Sequence, residues 1–377
     1  MVLINFSVPS EELTIPWQLE IKEEYIHYYS GERPIADPDI IDCKGYTLVP
    51  GFIDLQLYGG GGFIFENNIS ENSLQRIHTT HLLYGTTGFL ITLPTTSLEK
   101  ILQAIHVVKK VMAQKSTGVL GLHLEGPFIN SLRKGAHNPD QIRKPEWSEL
   151  KEIVHQGKGI VKMITIAPEL FSDEQLDFLL QQKDILVSAG HSNATFRQAQ
   201  HFFSKGIQCC THLYNAMSPF ESRSTGLVGA ALLEENIMSS IVADGHHVAF
   251  DTLRLTWKIK HGRLFLISDA TFLDETLDTV NLSGVTVHRE GDNFYTEDQR
   301  LAGSSISLHT AFVNSIKSLN IPIEEALRMV TRLPSSLIKE SGTGEIKEGM
   351  YANLLLLDKH FAIKGILFQG RWIKNQI

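Results

Sequence analysis

The chain has 377 residues, 42% hydrophobic and 20% charged, with 34 basic against 42 acidic side chains and a formal charge of −8. That apolar content excludes a disordered or collagen-like chain, and the lack of any long basic run excludes nucleic acid and anionic membrane as expected partners. Cys43, Cys209 and Cys210 are odd in number and two are adjacent, so a reducing compartment is expected rather than a disulfide framework.

The first residues, Met1 to Pro9, show neither the basic nor the apolar region of a signal peptide, and no later apolar run reaches 18 residues. A cytoplasmic protein is expected. Residues 1–48 read as short strands and turns, with Trp17-Gln-Leu-Glu-Ile-Lys alternating and Pro34, Pro38 and Gly45 as punctuation. Residues 343–377 behave likewise, through Ala352-Asn-Leu-Leu-Leu-Leu-Asp and Ile363-Lys-Gly-Ile-Leu-Phe. The two ends should pair as one small β-sandwich domain.

Between them, over 49–342, short apolar runs recur at Gly51-Phe-Ile-Asp-Leu-Gln-Leu, Thr87-Gly-Phe-Leu-Ile-Thr-Leu, Gly118-Val-Leu-Gly-Leu-His-Leu-Glu and Val161-Lys-Met-Ile-Thr-Ile-Ala. Ile185-Leu-Val-Ser-Ala-Gly-His, Ile207-Gln-Cys-Cys-Thr-His, Ser240-Ile-Val-Ala-Asp and Leu264-Phe-Leu-Ile-Ser-Asp continue the series. Amphipathic segments fill the gaps, such as Ser97 to Lys115 and Asp173 to Gln182. Apolar strands alternating with helices predict an α/β fold, a (β/α)8 TIM-like barrel. No nucleotide-binding glycine fingerprint occurs, and Gly59-Gly-Gly-Gly62 is read as a tight turn. Cys209 and Cys210 are read as small buried hydrophobes.

Polar residues gather where the runs end: Gln56, Glu125, His191, His212, Asp244 and Asp269. In a barrel these ends converge on one face, where active sites of this fold are built. Singly, each could be a satisfied structural residue. Together they would bury charge at heavy cost unless paired or coordinated. One Glu and two His form the protein ligand set of a catalytic zinc, with a position open for water. Asp269 has the strand position of a general base. His123 shares a strand face with Glu125 by period two and is left open.

The words around these residues are Val49-Pro-Gly-Phe-Ile-Asp-Leu-Gln-Leu, Gly121-Leu-His-Leu-Glu-Gly-Pro-Phe-Ile, Lys134-Gly-Ala-His-Asn-Pro, Ser188-Ala-Gly-His-Ser, Thr211-His-Leu-Tyr-Asn-Ala-Met, Ala243-Asp-Gly-His-His-Val and Leu301-Ala-Gly-Ser. In this order they resemble the N-acetylglucosamine-6-phosphate deacetylase family of the amidohydrolase superfamily. The resemblance implies that Glu125, His191 and His212 bind one divalent metal, most often zinc, and that Asp269 is the acid/base. It also implies His137 near the acetyl group and Ala136 among the substrate-binding residues. Asn215, Ala216, Arg223 and His247 would hold the sugar 6-phosphate, and Leu301, Ala302 and Gly303 would line the sugar pocket. His247 rather than His246 is the expected ligand-facing residue of that pair. A homodimer is implied too, with one phosphate contact reaching in from the partner chain. Many amidohydrolases carry His-x-His after Pro-Gly-x-Ile-Asp and bind a second metal; this chain has Gln56-Leu57-Tyr58, so one metal is expected. Tyr58 stands where such members often have Asn. The expected reaction converts N-acetylglucosamine 6-phosphate to glucosamine 6-phosphate and acetate. The alternatives are the N-acetylgalactosamine epimer, another amidase or deaminase of the superfamily, and a non-catalytic barrel.

Overall fold

The computed structural model describes residues 1–9, 18–28, 40–114, 117–273, 277–282, 284–291 and 293–377; Trp17, Pro34, Pro38 and Lys115 lie outside them. Eight parallel strands form the central sheet in chain order: Phe52–Leu57 (β1), Thr86–Pro94 (β2), Val119–Glu125 (β3), Val161–Ile166 (β4), Leu186–Ala189 (β5), Cys209–Cys210 (β6), Met238–Ile241 (β7) and Leu264–Leu266 (β8). Leu57 pairs in parallel with Ala270, just beyond β8, and Asp269 N–H donates to Gln56 O at 3.0 Å. Those contacts close the sheet into the expected barrel.

Helices return the chain between strands: Glu71–Leu83 (α1), Leu98–Met112 (α2), Trp147–Gln156 (α3), Asp173–Leu180 (α4), Phe196–Lys205 (α5), Gly226–Leu233 (α6), Phe250–Ile259 (α7) and Leu308–Lys317 (α8). The two helices read from the sequence are α2 and α4, capped by Ser97 and Ser172, whose hydroxyls accept N–H groups three residues on. In α2, Ile101, Ala104, Ile105 and Val108 are buried on the barrel side, as helical spacing requires.

Both chain ends contribute to a small β unit. One sheet orders Tyr25–Tyr28, Gln18–Lys22, Val2–Ile4 and Ile40–Asp42; the other orders Arg371–Asn375, Ile363–Phe368, Leu354–Leu357 and Thr47–Pro50. Leu354 and Leu356 pack with Leu3, Leu19 and Ile26, whereas Leu355 and Leu357 pack with barrel residues such as Phe52 and Phe312. Burial of both faces explains why this strand reads Leu-Leu-Leu-Leu instead of alternating.

One element went unread in the sequence. Between β8 and α8, strands Thr279–Leu282, Val285–Glu290, Asn293–Thr296 and Leu301–Ser304 form an antiparallel sheet. Its Val280, Leu282, Val287 and Phe294 pack on Phe272 and Ile64 at the barrel mouth. Among the described residues no helix is long and apolar enough to cross a membrane.

Candidate active site

Glu125 is the last residue of β3, and His191, His212 and Asp269 follow β5, β6 and β8 within three residues. The last three have φ of 47°, 34° and 55°, in the left-handed region that non-glycine residues avoid. Such positions cost about 1 to 3 kcal/mol each and persist only where neighbours hold them. Here the backbone N–H of His212 donates to Ser240 Oγ at 2.7 Å, and His191 O accepts from Asn130 N–H at 2.9 Å. The turned backbone ends each strand and points the side chain into the barrel mouth.

Glu125 Oε1 lies 3.2 Å from His191 Nε2 and 3.0 Å from His212 Nε2, and the two nitrogens are 3.1 Å apart. Among the described residues, these three form the one cluster able to hold a metal ion. His191 Nδ1 is 2.8 Å from Arg133 O, a carbonyl that only accepts, so the ring proton is on Nδ1 and Nε2 presents a lone pair. A bare nitrogen facing a carboxylate oxygen is repulsive unless a cation lies between them. Tetrahedral metal bonds of about 2.0 to 2.2 Å separate their donors by roughly 3.3 Å, close to the observed triangle. The residues therefore fit a divalent ion. Burial pushes His191 down to about 4, so it is unprotonated at neutral pH.

Asp269 and Tyr58 form the adjoining wall. Gln56 Nε2 is 2.7 Å from Asp269 Oδ1, 2.7 Å from Tyr58 Oη and 3.1 Å from Glu125 Oε1. Burial raises the Asp269 carboxyl above its usual range, an effect that His247 and His212 partly offset. A carboxylate shifted upward and next to a metal cluster suits proton transfer. His247 Nε2 approaches Asp269 Oδ2 at 3.5 Å, and its Nδ1 pairs with Asp244 Oδ2 at 2.6 Å. His246 is exposed.

The cluster opens into a cavity of about 630 Å3, within the range of small-molecule sites. Ala136, His137, Asn215, Ala216, His247, Leu301, Ala302 and Gly303 all line it beside the cluster and Asp269. Gly303 has φ 80°, and a Cβ there would lie 2.1 Å from Thr271 Oγ1, so glycine is required at this wall. Three cationic side chains also line the cavity: Arg133, Lys134 and Arg300.

The model of the amidohydrolase family matches residues 47–373. The chain belongs to the amidohydrolase family. It is 33% identical over 341 residues to the N-acetylglucosamine-6-phosphate deacetylase of Haemophilus influenzae, covering 89% of this chain and 88% of that protein. It is also 33% identical over 326 residues to the N-acetylgalactosamine-6-phosphate deacetylase of Shewanella sp., covering 86% and 82% respectively. The crystal structure of N-acetylglucosamine-6-phosphate deacetylase from Pasteurella multocida superposes with a TM-score of 0.91 at 32% identity, covering 99% of both chains. Within the family this amidohydrolase is a member of the N-acetylglucosamine-6-phosphate deacetylase group.

One residue read from this amidohydrolase's sequence lies away from the cavity, and one left open there falls in the core. Arg223 is exposed on the loop between Glu221 and Ser224 and does not line the cavity of its own chain. Lys134 and Arg133, in or beside the Lys-Gly-Ala-His-Asn-Pro segment, do line it, as does Arg300 from the added antiparallel sheet. His123 is fully buried below the cluster: its Nδ1 meets Leu55 O at 3.0 Å and its Nε2 meets Thr165 Oγ1 at 2.8 Å. With both ring nitrogens engaged there, it is a core residue. The Gly59–Gly62 segment turns tightly, with φ of 60° at Gly61 and 89° at Gly62, and Gly59 O faces His81 Nε2 at 2.8 Å.

Proposed function

We propose that this amidohydrolase hydrolyses the acetamide of N-acetylglucosamine 6-phosphate, giving glucosamine 6-phosphate and acetate, in the cytoplasm and as a homodimer. The observation that carries this reading is the buried Glu125–His191–His212 triangle with Asp269 joined to the same carboxylate through Gln56 and Tyr58.

Glu125, His191 and His212 would hold one divalent ion per chain, and zinc suits this donor set. Bound there, such an ion lowers the pKa of a water and draws charge from a carbonyl oxygen. Asp269 takes the proton of the attacking water and passes it to the amide nitrogen as the carbon–nitrogen bond breaks. His137 Nδ1 accepts the N–H of Thr95 at 3.2 Å, which puts the ring proton on Nε2, the atom 3.1 Å from Glu125 Oε2. That N–H is the donor for the carbonyl oxygen as it becomes an oxyanion.

The 6-phosphate meets Lys134, Arg300, Asn215 and His247 at the mouth, and Arg223 serves the cavity of the neighbouring subunit. A monomer with full activity in light scattering would remove that last assignment. Equal identity to a galactosamine-type relative favours the C4 epimer as a second reading. Steady-state kcat/KM on both epimers, and on unphosphorylated N-acetylglucosamine, decides between them. A tenfold preference for the galacto sugar reverses the choice, and no turnover of either phosphorylated sugar overturns the deacetylase reading.

A further inference from the structure

Tyr58 is 6% exposed and forms part of the cavity wall, its backbone N–H fixed on Ala270 O at 2.9 Å. Its hydroxyl lies 2.6 Å from Glu125 Oε2, 2.7 Å from Gln56 Nε2 and 3.3 Å from Asp269 Oδ1. The hydrogen-bond bookkeeping is restrictive here. Gln56 Nε2 faces Tyr58 Oη, Asp269 Oδ1 and Glu125 Oε1, so the amide must present its NH2 end, and its two protons go to the two atoms at 2.7 Å. Tyr58 then has one proton and one short acceptor, Glu125 Oε2.

The two oxygens of Glu125 are thereby made unlike. Oε2 takes the phenol proton and faces His137 Nε2 at 3.1 Å, while Oε1 is left facing the two imidazole nitrogens. We infer that Tyr58 is a positioning residue that holds Glu125 to coordination through a single oxygen and links this ligand, through Gln56, to Asp269. The inference rests on the metal reading of Glu125, His191 and His212. Groups that orient a metal ligand typically change metal affinity 10- to 100-fold when removed.

Tyr58→Phe removes only the hydroxyl and keeps the ring. Two measurements test it: the zinc dissociation constant by chelator competition with metal content per chain, and the visible absorption of the cobalt(II)-loaded protein. The expected result is one equivalent in both proteins, a dissociation constant raised about 10- to 100-fold in the variant, and weaker cobalt bands as the released carboxylate supplies its second oxygen. Tyr58→Asn, shorter but still polar, should move both readouts in the same direction, and covers the case in which the Phe variant does not fold. A merely structural tyrosine would change melting temperature and leave both readouts alone. If folded variants match wild type within twofold in affinity with superposable cobalt spectra, the Tyr58 inference is overturned while the metal site stands. If wild type itself binds no metal, both fall.

Discussion

His137 offers its Nε2 to Glu125 Oε2 at 3.1 Å, the oxygen opposite the one that faces His191 and His212. The N–H of Thr95 on its Nδ1 makes it a neutral donor. His137→Ala should therefore lower kcat by about 10²- to 10³-fold, the usual loss when one oxyanion donor is removed, and leave metal content unchanged. Kinetics with plasma-emission metal analysis checks both, and loss of the metal would make His137 a ligand instead.

Asp269→Asn keeps the side-chain shape and the ligand triangle while removing the base. Turnover should fall by about 10²- to 10⁴-fold, the range of general acid–base catalysis, with one metal equivalent retained. Near-normal kcat would refute the assignment. Glu125→Ala and His191→Ala should instead lose metal, and a full complement in both would sink the site.

Strand ends were legible because a parallel barrel sends them all to one face, whatever their separation in sequence. Alternation along a strand was less informative: it put His123 and Glu125 on one face, yet two residues are more than 6 Å of rise, and His123 sits a layer deeper between Leu55 O and Thr165 Oγ1. Arg300 was not legible because it sits in a turn of a sheet whose packing on Ile64 and Phe272 is long-range. Tyr58 was visible as a departure, but its role depends on which atom of Glu125 it meets, which no spacing encodes.

Charge at the cavity mouth gives a separate test. Lys134 and Arg300 line the cavity and Arg223 does not. Lys134→Ala should raise KM for the phosphorylated sugar roughly 10- to 100-fold, the worth of one charged hydrogen bond, with little effect on unphosphorylated substrate. Equal losses on both substrates would move Lys134 away from the phosphate.

The three thiols should be silent in the folded protein. Cys43, Cys209 and Cys210 are fully buried, and burial pushes Cys43 and Cys209 up to about 12. Since the thiolate is the reactive form, an aromatic disulfide reagent at pH 8 should label none natively and all three in denaturant. Rapid labelling of any one in the native state would contradict the burial of that residue.

Acid stability should be limited in part by α1. His78 packs edge-on against Phe368 at 5.0 Å and beside Phe89 at 6.0 Å, and its Nε2 has no hydrogen-bond partner among the described residues. Burial, with a smaller contribution from His81, pushes His78 down to about 4. The unfolded chain titrates near 6.5, so it binds more protons than the folded chain between these values. Stability from this residue is therefore full above about pH 6.5 and is lost as pH falls toward 4, reaching a deficit of roughly 2 kcal/mol at pH 5. His78→Leu gives up the ring contacts and so should be slightly less stable at pH 8. It carries no proton, however, so in the metal-free form its melting temperature should fall by a few degrees less than that of wild type between pH 7 and pH 5. Parallel melting curves for the two proteins across that range would show that His78 does not titrate as its burial requires.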